Sequence, residues 1–264
     1  MAGVTASPAI PPAIPDVVVA MIRAAEAAGE IAMKYYRGGF EVTIKADQTP
    51  VTQADREAEQ AIKAVLRRAY PDHGFLGEEL GEEGPKERRF IIDPIDGTKN
   101  FIRRVPIWAV LLGLEEAGEI TAGVMLNPAL GEMFWARRGD GAWSEGRRLR
   151  VSDYDRLDEA TLLHSDLHLM REAGFWDPLI RLVDACRRTR GFGDYYGYGL
   201  VAAGKAEIYV ETDLKPWDAA PVKILVEEAG GRLTDFSGRP TIYGGSVLAT
   251  NGRLHEQALA LLRR

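Results

Sequence analysis

The sequence predicts a mixed protein, an α+β half followed by an α/β half, with the change near residue 150. Three observations carry this. Two long helical periodicities occupy the first 70 residues. Short alternating segments joined by tight turns follow, as far as Trp143. Beyond Leu149 strand-like and helix-like segments alternate, which is the texture of layered α/β structures. At 264 residues the chain is long enough for a full hydrophobic core.

The opening stretch "MAGVTASPAIPPAIP" has no basic n-region and is interrupted by prolines, so residues 1–15 read as a disordered Pro/Ala-rich tail rather than a signal peptide. From Asp16 to about Arg37, Val17, Ala20, Met21, Ala24, Ala28, Ile31 and Ala32 recur at helical spacing, with Asp16 placed to cap the helix. "EVTIKADQ" alternates like a short strand, and "VTQADREAEQAIKAVLRRAY" is a second helix ended by Pro71. "GFLGEELGEEG" reads as a glycine-punctuated acidic loop. Strands are expected over Phe90–Ile92, Trp108–Glu115, Ile120–Asn127, Glu132–Ala136 and near Ala142-Trp143, as an antiparallel meander.

The second half reads as strand "ATLLHS", helix "DPLIRLVDACRRT", a helix through "YGYGLVAAG", strand "AEIYVE", helix "DAAPVKILVEEAG", strands "GRLTDF" and "SVLATN", and a closing helix in "GRLHEQALALLRR". The expected units are thus 16–150, α+β, and 151–264, α/β.

Apolar residues make up 46% and charged residues 27%, ordinary for a soluble globular protein. The net charge of −6 argues against general nucleic-acid affinity, and the local Arg187-Arg188/Arg190 patch does not reverse that. A single cysteine, Cys186, excludes an intramolecular disulfide and reads as a small core residue. No apolar run reaches the length of a membrane span. The expected location is the cytoplasm.

The chemistry concentrates in "FIIDPIDGTKNF", residues 90–101. An apolar strand delivers Asp93 at its carboxyl end, where α/β proteins tend to bind ligands. Pro94 is expected to force a turn that aims Asp96 and the Ile95 carbonyl back at Asp93. Two converging carboxylates repel unless a cation lies between them, and an all-oxygen set suits Mg²⁺, Mn²⁺ or Ca²⁺ better than zinc. Gly97 and Thr98 follow, with backbone N–H groups placed for phosphate. An Asx turn, capped by Asp93 and Asp96, is the bland reading of the same residues. Glu78 in "GEEL" and Asp218 in "PWDAAP" complete a four-carboxylate set, although Asp218 would also serve as a helix N-cap.

Together "TPVTQAD", "GEEL", "IIDPIDGTKNF" and "PWDAAPVKILVEEAGG" resemble the inositol monophosphatase family of Mg²⁺-dependent, lithium-sensitive phosphatases, in the family's motif order and over nearly the whole chain after the tail. The resemblance implies a layered αβαβα sandwich, commonly a homodimer. It implies that Glu78, Asp93, the Ile95 carbonyl, Asp96 and Asp218 bind two or three Mg²⁺, with Mn²⁺ possible. Gly97 and Thr98 would hold phosphate by their N–H groups. Asp55 would pair with the Thr98 hydroxyl to orient a metal-activated water for in-line attack. Asp55 also reads as a first-turn acid that favours the helix dipole.

Lys99 and Trp108 resemble the family's histidinol-phosphate phosphatase branch more than its inositol branch. Asp194, in "GFGDYYGYGLVAAG", stands where inositol-type members usually carry a small neutral residue, and Glu211 in "YVETD" matches the substrate-contacting acid. Two acids facing a leaving group suit a cationic alcohol such as histidinol, because a neutral polyol leaves a buried acid unpaired. Asp194 also reads as a helix N-cap. The expected partner is therefore a small phosphorylated metabolite, with an inositol, sugar or polyol phosphate as the alternative. A non-catalytic phosphate- or metal-binding paralogue would have lost a ligand, and every acid is present. A 3′-phosphonucleotide substrate conflicts with so acidic a pocket.

His164 and His168 lack the further ligands a transition-metal site needs. No G-x-S-x-G elbow, Walker loop or Rossmann fingerprint occurs. Arg103 and Arg104 read as solvated, or as a basic recognition patch.

Overall fold

The structure, a computed structural model, describes residues 13–38, 42–44 and 50–263. The tail expected over 1–15 lies outside the described residues except for its last three, as does most of "EVTIKADQ". Of that segment, β1 (Val42–Ile44) is described, paired antiparallel with β2 (Pro50–Thr52) as a separate ribbon.

Helices α1 (Asp16–Gly38) and α2 (Gln53–Ala69) form where the helical periodicities predicted them. Asp16 is the first helical residue of α1, so its charge sits in the first turn. The two helices cover one face of an eight-stranded sheet built from β3 (Gly74–Gly77), β4 (Gly81–Glu83), β5 (Arg88–Asp96), β6 (Ala109–Glu116), β7 (Glu119–Asn127), β8 (Glu132–Arg137), β9 (Gly141–Ser144) and β10 (Arg147–Arg148). The strand order is β10-β9-β8-β7-β6-β5-β3-β4. β5 to β10 are the expected meander, but the acidic loop is in fact a hairpin, β3–β4, and β3 joins β5 in parallel.

Period-two alternation assigns the faces. Phe90, Ile92, Val110, Leu112 and Val124 pack under α1 and α2 with Met21, Ala28, Ile62 and Leu66. Ile91, Ala109, Leu111 and Met125 point to the opposite face. That face is covered by α6 (Asp194–Ala202) and α7 (Pro216–Glu228). Gly113 and Gly123, paired across β6 and β7, make the approach of α7 possible. A Cβ at Gly113 would lie 2.7 Å from the Ala220 Cβ, and one at Gly123 2.6 Å from the Ile224 Cγ2.

A second sheet lies beyond α6 and α7. Its strands are β11 (Thr161–His164), β12 (Arg188–Arg190), β13 (Ile208–Thr212), β14 (Arg232–Thr234) and β15 (Ser246–Thr250), in the order β12-β11-β13-β15-β14. Leu163, Tyr209 and Ala249 face α6 and α7, whereas Leu162, Ile208 and Leu248 face α4 (Leu167–Glu172), α5 (Trp176–Ala185) and α8 (His255–Leu262). The result is an αβαβα sandwich. The helix expected to run through "ACRRT" stops at Ala185, and Arg188–Arg190 form an edge strand parallel to β11. Cys186 caps α5 and is half-buried against the outer core, where burial pushes its thiol up to about 11 and keeps it neutral. Arg104 is not merely solvated, since it donates to the Tyr35 carbonyl at 3.0 Å and its guanidinium lies 5.3 Å over the Tyr36 ring.

Candidate active site

The site starts from an irregularity in β5. Asp93 pairs with Leu111, and pairing resumes at Asp96 with Ala109, so three steps on β5 match two on β6. One extra residue is accommodated: a β-bulge, not the expected turn. Pro94 lies inside it, where its missing N–H leaves no ladder bond unmade. Strict alternation would send residues three apart to opposite faces. The bulge cancels that, and Asp93 and Asp96 converge. With Asp218 they offer carboxylate oxygens all within 4.8 Å of one another.

Asp218 comes from α7, and not as its N-cap. Lys215 occupies that position, Pro216 opens the helix, and Asp218 stands three residues in. Its Oδ2 accepts from the Lys215 N–H at 2.7 Å, the carboxylate half of a capping box. Asp93 Oδ1 accepts from the Ile95 N–H at 2.9 Å. Burial pushes Asp93 well above the usual carboxylate range, reinforced by repulsion from Glu78, Asp96 and Asp218. Asp96 shifts the same way, through burial and then the charges of Asp194 and Asp218. Asp218 rises to about 7, mainly by burial, against the stabilising Lys215 N–H. Buried acids that resist ionisation and have only oxygen to offer fit a hard divalent cation, and nitrogen or sulfur ligands are missing from this cluster. Glu78 stands beside them on the β3–β4 turn, held by its own N–H to the Ile92 carbonyl at 3.1 Å.

These groups line a cavity of about 740 Å³, together with Ile95, Gly97, Thr98, Asp194 and Glu211. Gly97 adopts φ +78°, and a Cβ there would meet the Ile107 carbonyl at 3.1 Å. It precedes the short helix α3 (Thr98–Ile102), whose first hydrogen bonds run from the Asn100 and Phe101 N–H groups to the Gly97 carbonyl, with the Thr98 and Lys99 N–H groups ahead of them. The Thr98 hydroxyl donates to the Ile95 carbonyl at 3.0 Å, and a carbonyl oxygen keeps a second lone pair. Asp55 is buried in the first turn of α2 and does not line the cavity. Its neighbour Ala54 packs with Ile95, Phe101 and Trp108, which places Asp55 behind the β5–α3 junction.

Asp194 and Glu211 occupy the wall formed by the second half. Asp194 is not the N-cap of α6: Gly193 is, and Asp194 is the first helical residue, at φ +56°. Its Oδ2 instead accepts from the Asn100 amide at 2.8 Å. Burial raises Asp194 to about 6, moderated by Lys99. Glu211 is raised to about 8 by burial and by Asp194. Its Oε2 accepts from the Tyr198 and Tyr209 hydroxyls at 2.8 and 2.9 Å.

Asn100, Tyr198 and Tyr209 were missed from the sequence. Asn100 was already inside the quoted motif; the tyrosines act through contacts made only in three dimensions. Trp108 lies in the core against Phe101 and Tyr36, outside the cavity, whereas Lys99 lines it. His164 also lines the cavity and His168 instead pairs with Glu172 at 3.1 Å, so the two histidines do not act together.

Comparison with known proteins agrees with this geometry. The model of the inositol monophosphatase family matches residues 15–264. A histidinol-phosphatase of Streptomyces coelicolor is 40% identical over 250 residues, covering 91% of this chain and 94% of its own. An inositol-1-monophosphatase of Mesorhizobium japonicum is 36% identical over 231 residues, 85% of this chain and 87% of its own. The crystal structure of extragenic suppressor protein suhB from Bartonella henselae superposes with a TM-score of 0.88 at 35% identity, over 95% of this chain and 99% of that one. The bulged acidic strand, the αβαβα layers and these likenesses identify the chain as a phosphoric monoester hydrolase that belongs to the inositol monophosphatase family.

Proposed function

We propose that the protein hydrolyses L-histidinol phosphate to histidinol and phosphate, in histidine biosynthesis, with Mg²⁺ as cofactor. The observation that carries the substrate is the pair Asp194 and Glu211, two acids in the cavity wall outside the Asp93–Asp96–Asp218 cluster, both raised by burial. A cationic leaving group relieves the burial of both, whereas a neutral polyol relieves neither.

Asp93, Asp96, Asp218, Glu78 and the Ile95 carbonyl would hold the ions. Bound there, Mg²⁺ supplies a lowered water pKa and neutralises the charge of the phosphoryl oxygens. The Gly97 and Thr98 N–H groups then orient the phosphate. The Thr98 hydroxyl, which donates to the Ile95 carbonyl in this structure, would pair instead with Asp55 and so orient the attacking water. In the wall from the second half Glu211, fixed by Tyr198 and Tyr209, and Asp194, fixed by Asn100, bind the ammonium or imidazolium of the alcohol.

The test compares kcat/KM for histidinol phosphate and inositol 1-phosphate in wild type and Asp194→Asn. Asparagine tolerates positive φ and keeps an acceptor for Asn100, so the change removes charge rather than structure. Loss of about 10- to 100-fold on histidinol phosphate alone is expected, the size of a charged hydrogen bond. Equal rates on both esters, unmoved by the substitution, would instead make the protein an inositol- or polyol-phosphate phosphatase.

A further inference from the structure

Glu59 is a fully buried carboxylate that the reaction does not use directly. It lies on α2, and its Oε2 accepts from the Glu79 N–H at 2.8 Å. The Leu80 N–H lies 3.3 Å from both of its oxygens. Lys63, one turn on and nearly as buried, balances the charge at 3.0 Å. The carboxylate also fills the space beside Gly77, where a Cβ would fall 1.8 Å from Oε1. Residues 77, 79 and 80 surround Glu78 in sequence.

We infer that Glu59 is a positioning residue for the metal site, clamping the β3–β4 turn so that Glu78 is held toward Asp93 and Asp218. The turn is also tied to β5 through the Glu78 N–H on the Ile92 carbonyl, and it is closed by the Gly77–Gly81 pair of the hairpin. The Glu59 carboxylate fixes the tip of the turn from the outer side, on a helix bound to the sheet by Ile62 and Leu66. A buried carboxylate is costly to desolvate, and one kept for mere stability is often replaceable by an apolar group. Here its two oxygens match two successive turn N–H groups, which an apolar side chain cannot do. Gly77 is part of the same device, being the residue that leaves room for the clamp.

This inference rests on Glu78 serving the metal site proposed above. Its test is the Mg²⁺-induced rise in melting temperature, titrated in wild type, Glu59→Gln, Glu78→Gln, the double variant Glu59→Gln/Glu78→Gln, and Leu66→Ala. The last perturbs α2 without touching the turn. Glu59→Gln should raise the Mg²⁺ concentration for half-maximal stabilisation by about 10-fold or more, the usual effect of losing a group that orients a ligand. Leu66→Ala should lower the melting temperature and leave that midpoint in place. In the Glu78→Gln background the Glu59 change should add nothing, because it acts through Glu78. Should Glu59→Gln not fold, Glu59→Leu with Lys63→Met removes both buried charges together and takes the clamp away without an unpaired ion. A midpoint in the Glu59 variant equal to that of Leu66→Ala, or additive with Glu78→Gln, overturns the clamp. A wild type without any Mg²⁺ response overturns the metal reading itself, and the two failures are therefore distinct.

Discussion

The backbone N–H of Tyr195 donates to Asp96 Oδ2 at 2.8 Å, so the first turn of α6 is docked directly on a carboxylate of the bulged strand. The preceding residue, Asp194, accepts the constraint by adopting φ +56°. Left-handed backbone at a non-glycine residue persists only where its surroundings impose it. Two bonds do so here, Tyr195 to Asp96 and Asn100 to Asp194. The substrate wall and the acidic cluster are thereby one mechanical unit, although about 100 residues separate them in sequence.

Asn100→Ala cuts the tether while leaving both acids in place. The Asn100 amide bridges the Ile107 carbonyl, at 2.9 Å, and Asp194. Its loss should raise KM for histidinol phosphate by about 10-fold, the value of one hydrogen bond to a charged group, with kcat changed much less. Steady-state kinetics decide this, and an unaltered KM would disconnect Asn100 from recognition.

Metal removal should make stability fall as pH rises. Asp218 at about 7 and Glu211 at about 8 keep protons in the native state that the unfolded chain releases near pH 4. Between pH 6 and 8 the native protein therefore binds more protons than the unfolded chain, and stability falls as pH rises. Mg²⁺ displaces the protons held by its ligands and compensates for repulsion among them. In EDTA the melting temperature should drop from pH 6 to pH 8, and excess Mg²⁺ should recover most of the loss at pH 8. A melting temperature in EDTA that is flat or rises over this interval would contradict the assignment.

His255 works in the opposite direction and in a lower window. It is fully buried, with ring nitrogens 3.0 Å from the Thr234 and Thr250 hydroxyls. Burial, aided by Arg232, lowers it from 6.5 to about 4. From pH 6.5 down to 4 the unfolded chain takes up a proton that the native state refuses, so the stability present above pH 6.5 is lost on acidification, by about 2–3 kcal/mol at most. His255→Gln should be destabilised at pH 7, and its deficit relative to wild type should shrink toward pH 4.5. Denaturant melts at the two pH values measure the difference.

What was legible in the sequence was local. An apolar run followed by Asp93, Asp96 and Gly97 announces a strand end that gathers charge, and the helical stripes of α1 and α2 need only their own periodicity. What was not legible depends on pairing. The bulge exists because β6 fixes the register on either side of Pro94, and no residue within β5 states where that register resumes. Asp194 and Asp218 both looked like N-caps because Asp favours that position, yet Gly193 and Lys215 take it. Asp194 is held by the tertiary bond from Asn100, and Asp218 by its own capping box with Lys215. The Tyr198 and Tyr209 contacts with Glu211 bring a helix to a strand and leave no mark in spacing.

Gly113 and Gly123 show how a strand residue without a side chain serves the site. Both lie on the face that receives α7, and Ala220, two residues beyond Asp218, is the group a Cβ at Gly113 would strike, at 2.7 Å. That contact is with a short, rigid neighbour, so the helix itself must shift. Gly113→Ala should cost about 1–3 kcal/mol, the range for overpacking a core. It should also move Asp218 relative to Asp93, whose oxygens the unmodified packing keeps within 4.8 Å. Weakened Mg²⁺ affinity is therefore expected beyond what stability alone explains. The comparison is with Ala249→Val, on β15 in the same buried core and outside the cavity lining, chosen to match the loss of stability. If both variants bind Mg²⁺ equally, the glycine pair serves packing alone; if Gly113→Ala binds more weakly, the close approach of α7 is part of how Asp218 is placed.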